Sequence, residues 1–172
     1  MWMILVSALI VGVIALDQIS KALVLKLLYE GHVVLIPGVL DFTYVENRGM
    51  AFGLLADHRW VFMVLSVLGI ALVGFYLYRF VSSTLGRVSL ALVIGGGIGN
   101  MIDRISLGFV VDFIDFCLFD FWVWVFNVAD AAVCVGAALF ALDLILEMVK
   151  EYKKSRNGSE KPQKDGEGTN HG

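Results

Sequence analysis

Five aspartates fall within 28 residues of an otherwise strongly apolar sequence: Asp103, Asp112, Asp115, Asp120 and Asp130. A charged aspartate at the centre of a bilayer costs about 3 kcal/mol, so an acid in an apolar helix usually has a function or a fixed partner. Asp103 has Arg104 beside it, whereas Asp130 has no basic residue within one helical turn on either side. Asp130 is therefore the strongest candidate for a chemical role.

An unpartnered carboxyl in an apolar helix can stay protonated or can share a proton with a second carboxyl. Asp112 and Asp115 lie in a predicted loop that could fold back over the helix of Asp130, so either could be the second group. Two carboxyls in hydrogen-bonding distance do not both ionise easily, and such a pair can activate a water and protonate a leaving amine. These residues favour aspartic-peptidase chemistry.

Other site chemistries fit the residues less well. Ser20 and Lys21 are neighbours and do not face each other on a helix, which disfavours a Ser/Lys dyad. The glycine-rich run 95–99 lacks the preceding strand and the lysine of a P-loop, and inside a membrane helix it indicates close packing. No HExxH motif or CxxC pair suggests zinc. An oxygen-rich metal site stays chemically open, with these candidate ligands: Asp103, Asp112, Asp115 and Asp130.

A proton or ion pathway is the main alternative to a peptidase, because intramembrane acids also form relays. Against it, the helix around Asp130 carries one acid, the second apolar segment carries none, and no internal repeat is apparent. A non-enzymatic membrane binding protein is a third interpretation, but it gives Asp130 no role.

The composition indicates that membrane helices position these residues. Of the 172 residues, 59% are hydrophobic and 17% are charged, and the mean hydropathy is +0.82. Soluble domains have roughly 45–50% apolar and about 25% charged residues, so a soluble globular domain and a disordered chain are both excluded. The net charge of −3, with no basic patch in the body of the chain, excludes nucleic-acid binding.

Four apolar segments predict an all-α membrane fold with four transmembrane helices, at about residues 2–22, 60–78, 88–105 and 121–143. The first helix continues at helical period to about Leu28, which places Asp17 and Lys21 one turn apart as a local ion pair at the membrane edge. On the third helix Asn100, Asp103 and Arg104 share one face, and Asn127 and Asp130 do so on the fourth. The set on the third helix predicts a structural polar network, with Arg104 as the partner of Asp103, and the alternative is a direct catalytic role.

The basic residues predict the orientation of the chain. Arg79 and Arg87 lie between the second and third helices, and Lys150 begins a basic tail, which puts both termini in the cytoplasm. Segments 28–59 and 106–120 then face outward, and strand-like runs in the first predict a small β element there. We expect residues 1–149 to form the membrane domain and residues 150–172 a charged, disordered tail.

Five sequence blocks resemble, in the same order, those of bacterial lipoprotein signal peptidase, the signal peptidase II family of membrane aspartic peptidases. The blocks are Asp17–Lys21, Tyr44–Gly53, Gly95–Arg104, Gly108–Ile114 and Phe126–Asp130. They extend along nearly the whole chain except the tail. The sequence departs from the family pattern at Met50, Gly97, Val125 and Ala131, and none of these changes removes a carboxylate.

The resemblance implies an endopeptidase of the bacterial inner membrane that cuts a prolipoprotein just before a diacylglyceryl-modified cysteine, near the periplasmic face. It implies that Asp112 and Asp130 are the catalytic pair and that the outer face carries a small β cradle. Further residues are implied to shape the site or to contact the substrate and the cyclic-peptide inhibitor globomycin: Asn47, Asn100, Asp103, Arg104 and Asn127. We add Asp17 and Lys21 from the first block, and we expect a monomer that binds prolipoprotein and membrane lipid, with no metal or cofactor.

Overall fold

The structure is a computed structural model that describes residues 2–29, 31–48, 59–118 and 122–159. Asp120 and Met50, which the sequence analysis singled out, lie outside these residues. The described elements are, in chain order, α1 (Trp2–Leu27), β1 (His32–Ile36), β2 (Leu40–Asn47), α2 (Arg59–Arg79), α3 (Thr84–Ser106), β3 (Val110–Leu118), β4 (Trp122–Phe126) and α4 (Val128–Ser159).

The helices pack around α3, which contacts α1, α2 and α4. By length and hydropathy, α1, α3 and α4 are each able to cross a membrane, while α2 has a shorter apolar stretch, Met63–Arg79. The predicted helix within each of the first three apolar segments is confirmed, and α1 ends at Leu27, close to the predicted Leu28. A bilayer crossing by α2 stays a prediction.

Glycines let α3 approach its neighbours closely. A Cβ atom added at Gly96 would clash with the Ala129 carbonyl oxygen of α4, and one added at Gly136 would lie 2.6 Å from the Ser89 carbonyl oxygen. A Cβ atom at Gly99 would lie 2.6 Å from Asp17 Oδ2. The glycine-rich run therefore serves helix packing, as predicted, and brings α1 and α4 against the same part of α3.

The strands form one antiparallel sheet in the order β1-β2-β3-β4. Its core contains Val111 and Phe113 of β3, which pack with Val24 of α1 and with Phe42 and Tyr44 of β2. The predicted small β element is therefore present. It is larger than expected, because β3 lies in the segment that the sequence analysis treated as a loop.

The fourth apolar segment is not one helix. Trp122–Phe126 forms β4, which pairs with β3 so that Val125 lies opposite Asp115, and α4 begins only at Val128. The physical reason is that alternating aromatic and β-branched residues fit a strand beside an open sheet edge. At the other end, α4 continues past Lys150 to Ser159, so residues 150–159 of the expected disordered tail are helical.

Candidate active site

Asn127 and Asp130 form a reciprocal cap at the start of α4. Asn127 Oδ1 accepts a hydrogen bond from the Asp130 main-chain N–H at 2.9 Å, and Asp130 Oδ2 accepts one from the Asn127 main-chain N–H at 3.3 Å. This is the geometry of a capping box, and the positive end of the helix favours a carboxylate there. Asp130 therefore lies in the first turn of α4 and not inside a long apolar helix, which corrects the sequence-based placement.

Asp112 lies on β3 and is buried, with 2% of its surface exposed. Its Oδ2 accepts a hydrogen bond from Asn47 Nδ2 at 2.7 Å, and its Oδ1 accepts one from Asn127 Nδ2 at 2.7 Å. The pKa of the Asp112 carboxyl is raised to about 6, mainly by burial and also by the nearby Asp130, against the lowering effect of the two amide donors and of Lys21. Asp112 therefore binds a proton much more readily than an exposed aspartate.

The two carboxylates line one cavity of about 510 Å³ beside the start of α4. Asn47 contributes a further polar side chain, and the remaining wall is formed by Trp124, Val125, Phe126, Ala131, Val133 and Cys134. Asp115 is not among the lining residues and lies opposite Asp41 in the sheet. Of the two candidates for a partner of Asp130, the structure therefore brings Asp112 to the site and leaves Asp115 elsewhere on β3.

Asn100 of α3 connects Asp130 to a buried ion network. Its Nδ2 donates to Asp130 Oδ1 at 2.7 Å. Its Oδ1 accepts from Lys21 Nζ at 3.0 Å and from Asn127 Nδ2 at 3.1 Å. Each oxygen of Asp130 thus accepts a hydrogen bond, one from Asn100 and one from the main chain of Asn127.

Lys21 is almost completely buried and makes two ion pairs. Its Nζ lies 2.9 Å from Asp17 Oδ2 and 2.8 Å from Asp103 Oδ2. The predicted pair of Asp17 and Lys21 is confirmed, but it lies in the interior next to α3 and is not an isolated pair at a membrane edge.

Asp103 does not pair with Arg104, so that prediction is wrong. Asp103 binds Lys21, and it also accepts hydrogen bonds from Gln18 Nε2 at 2.9 Å and from the Val111 main-chain N–H at 3.1 Å. Arg104 Nη1 lies 3.5 Å from the Asn100 carbonyl oxygen. Adjacent residues of a helix point in different directions, so neighbours in sequence are poorly placed to pair.

Gln18 is a site residue that the sequence analysis missed. It donates to Asp17 Oδ2 and to the Gly99 carbonyl oxygen, both at 3.2 Å, as well as to Asp103. The available signal was its position beside Asp17 as an uncharged polar residue in an apolar helix.

Within the described ranges, no group of three or more His, Cys, Asp or Glu side chains is arranged to hold a metal ion. The four aspartates considered as metal ligands are divided among three places. Asp103 binds Lys21, Asp112 and Asp130 face the cavity, and Asp115 lies opposite Asp41.

Proteins with similar sequences are peptidases. The family model described as Signal peptidase (SPase) II matches residues 9–146. A protein of Clostridioides difficile named lipoprotein signal peptidase is 42% identical over 134 residues, which cover 77% of this chain and 89% of that protein. A protein of the same name from Halothermothrix orenii is 44% identical over 133 residues, with the same coverage of both chains.

Solved structures agree with this relationship. A bacterial membrane enzyme solved by the in meso method at 2.3 Å resolution is 27% identical and superposes with a TM-score of 0.75, covering 92% of this chain and 94% of the other. A second such structure, at 1.9 Å, gives a TM-score of 0.74 at 27% identity and covers 81% of this chain and 91% of the other. From the matched sequence and the shared fold, the chain belongs to the signal peptidase II family.

Proposed function

We propose that Asp112 and Asp130 together hydrolyse a peptide bond held in the cavity that they share. The observation that carries this proposal is the convergence of the two carboxylates on one cavity, with donors bound to the oxygens of both. Such a pair is preorganised to exchange protons with a water and a scissile bond without a covalent intermediate. As a member of the signal peptidase II family, the chain is an aspartic peptidase that removes signal peptides.

The two carboxylates of the proposed pair lie in different environments. The pKa of Asp112 is raised to about 6, mainly by burial, so Asp112 is suited to carry the shared proton of the pair. Asp130 lies in the first turn of α4, and each of its oxygens accepts one N–H hydrogen bond. We assign Asp130 as the general base at the start of the reaction and Asp112 as the general acid.

The reaction proceeds in two proton-balanced steps. A water in the cavity loses a proton to Asp130 while its oxygen bonds to the carbonyl carbon, and Asp112 donates its proton to the carbonyl oxygen. The tetrahedral diol then collapses. Asp130 gives its proton to the leaving amine as the C–N bond breaks, and Asp112 recovers a proton from the diol. The pair returns to its initial state of one shared proton.

The curated relatives named lipoprotein signal peptidase support prolipoproteins as the substrates. We propose that the bond cut lies just before a cysteine carrying diacylglycerol, whose acyl chains stay in the bilayer. The apolar part of the cavity wall, which includes Trp124, Phe126 and Val133, is suited to a substrate that arrives from lipid.

We further propose that four helices cross the bacterial inner membrane and that the sheet and cavity lie at its periplasmic face. Arg79 and Arg87 flank the α2–α3 link, and Lys150 lies in the last ten residues of α4, whereas the strands connect the other ends of the helices. Positive residues favour the cytoplasmic side, which supports a cytoplasmic location for both termini.

Cleavage of a diacylglyceryl-modified prolipoprotein by the purified protein in detergent tests the proposal. Wild-type protein is compared with Asp112→Asn, Asp130→Asn and a matched control, Asp115→Asn, on the same strand as Asp112. EDTA and globomycin are parallel additions. We expect processing that survives EDTA, stops with globomycin, persists in the control and is absent from both site variants. Substantial turnover by folded Asp130→Asn protein would refute the catalytic pair.

A further inference from the structure

Lys21 has three partners for its three N–H groups. Its Nζ contacts one carboxylate oxygen of Asp17, one of Asp103 and the amide oxygen of Asn100, at 2.9, 2.8 and 3.0 Å. An ammonium group has three donors and no acceptor, so all of its hydrogen-bonding capacity is used inside the protein. Only 3% of the Lys21 side chain is exposed, and the proposed hydrolysis does not use it directly.

The two counter-ions of Lys21 each hold the main chain beside one catalytic aspartate. Asp17 Oδ1 accepts a hydrogen bond from the Ala129 main-chain N–H at 2.9 Å, and Ala129 immediately precedes Asp130. Asp103 Oδ2 accepts one from the Val111 main-chain N–H at 3.1 Å, and Val111 immediately precedes Asp112. One lysine thus connects the two main-chain segments that carry the catalytic pair.

The third partner of Lys21 determines how an amide faces Asp130. Lys21 can only donate, so Asn100 must turn its oxygen toward Lys21, and its Nδ2 then points at Asp130. Asn127 also donates to the Asn100 oxygen, but its two amide hydrogens are divided among three acceptors: Asn100 Oδ1, the Val111 carbonyl oxygen and Asp112 Oδ1. The charged donor is therefore the stronger constraint on Asn100.

We propose that Lys21 is a positioning residue that sets the spacing and orientation of Asp112 and Asp130 through Asp17, Asp103 and Asn100. This inference rests on the proposed function of the catalytic pair and deepens it. The charged groups on which the proposal rests are Asp17 and Lys21 on α1, Asp103 on α3, Asp112 on β3 and Asp130 on α4.

This buried ion network is better suited to holding side chains in position than to raising the stability of the fold. Removing two carboxylates and an ammonium from water costs free energy that largely offsets their attraction, so buried ion networks contribute little net stability. A displacement of about 1 Å between catalytic groups, in contrast, can reduce turnover about 100-fold. A positioning role therefore predicts a loss of kcat that exceeds any loss of folded protein.

The test uses Lys21→Met, which keeps the length of the side chain but removes its donors. Lys26→Met is the matched control, because Lys26 lies on the same helix, is exposed and has no part in the proposed site. Prolipoprotein cleavage is measured per folded molecule, with the folded fraction taken from thermal unfolding in the same detergent. We expect kcat to fall about 100-fold in Lys21→Met with KM nearly unchanged, and both constants to stay at wild-type values in Lys26→Met.

Lys21→Arg is a second variant that retains the charge and so keeps the test valid if Lys21→Met does not fold. Guanidinium donors are spread over a planar fork and do not converge on three acceptors around one nitrogen. We therefore expect folded protein with a reduced kcat. Wild-type kcat in Lys21→Arg, or a loss in Lys21→Met that only follows its folded fraction, would overturn the positioning role.

Either result would leave the proposed function intact provided that Asp112→Asn and Asp130→Asn are inactive. Turnover in those two variants would instead refute the catalytic pair itself, whatever the behaviour of Lys21. The two failures are therefore distinguishable with one set of purified proteins and one substrate.

Discussion

Replacing Asp112 by asparagine should abolish cleavage and, at neutral pH, make the protein more stable. The reason is that the folded protein holds this carboxyl in a buried site where its charged form is unfavourable. Asparagine has nearly the same shape and carries no charge. The Asp112 carboxyl would then be a group that lowers the stability of the folded protein but is needed for cleavage.

The pKa of Asp112 gives the size of this effect. Folding raises it from 3.8 to about 6, and each unit corresponds to about 1.4 kcal/mol, so the difference amounts to about 3 kcal/mol. The sign follows from proton linkage. Between these pKa values the folded state binds more protons than the unfolded state, so the contribution to stability is fully present below pH 3.8 and is lost as the pH rises through about 6.

Asparagine does not recover all of this free energy. Asn47 and Asn127 both direct amide N–H groups at Asp112, and an asparagine would place its own Nδ2 against one of them. One lost or repulsive hydrogen bond costs about 1–2 kcal/mol. We therefore expect Asp112→Asn to exceed the wild-type free energy of unfolding by about 1–2 kcal/mol at pH 8, and to lose this advantage near pH 4.

Thermal unfolding in detergent between pH 4 and pH 8 measures the effect, with the midpoint recorded for wild type, Asp112→Asn and Asp115→Asn. Other groups titrate in this range, so the informative quantity is the difference between a variant and wild type at each pH. That difference should rise with pH for Asp112→Asn and stay flat for Asp115→Asn. A flat difference for both variants would refute the buried, proton-binding carboxyl at Asp112.

Three further results are expected. Asn127→Ala should lower the free energy of unfolding by about 2–4 kcal/mol and abolish cleavage, because it removes a helix cap and a hydrogen-bond donor to Asp112. An unchanged free energy of unfolding, measured by chemical denaturation, would contradict this. Gly99→Ala should reduce both stability and kcat, because the added Cβ would lie 2.6 Å from Asp17 Oδ2. Gly12→Ala is the control: its added Cβ would have no neighbouring atom within 4 Å, so both quantities should stay at wild-type values. Asp17→Asn should reduce kcat more than Asp103→Asn, because both Asp17 oxygens face groups that can only donate, the Ala129 main-chain N–H and Lys21 Nζ. In Asp103→Asn the new amide nitrogen could face Gln18, whose own amide can turn to accept a hydrogen bond. Equal kcat values in the two variants would argue against this account.

The two aspartates of the proposed catalytic pair could be predicted from sequence to different degrees. Asp130 stood out because an acid in an apolar segment without a basic neighbour is costly, and that inference needs no knowledge of the fold. The residues alone left Asp112 and Asp115 equivalent, since both lie in one short segment. The resemblance to a family favoured Asp112, and the pairing of β3 with β2 and β4 explains why Asp112 faces the cavity.

The errors arose where contacts between distant segments override local patterns. Trp122–Phe126 is as apolar as a membrane helix, and only its pairing with β3 makes it a strand. Arg104 is adjacent to Asp103 in sequence, but Lys21 approaches Asp103 from another helix. The bond between Asp17 and Ala129 joins residues 112 positions apart, a separation at which no periodicity or motif gives a distance.

The ion pair between Asp17 and Lys21 also bears on how the chain is made. Ribosomes release α1 first, and the two charged groups of this pair are one helical turn apart, so they can enter the lipid as a locally neutral pair before any other helix exists. The remaining acceptors of Lys21 come from α3, and the N–H group that Asp17 binds comes from α4. The proposed catalytic site is thus completed only when the last helix packs against the first, and we expect a truncated nascent chain in the membrane to lack peptidase activity.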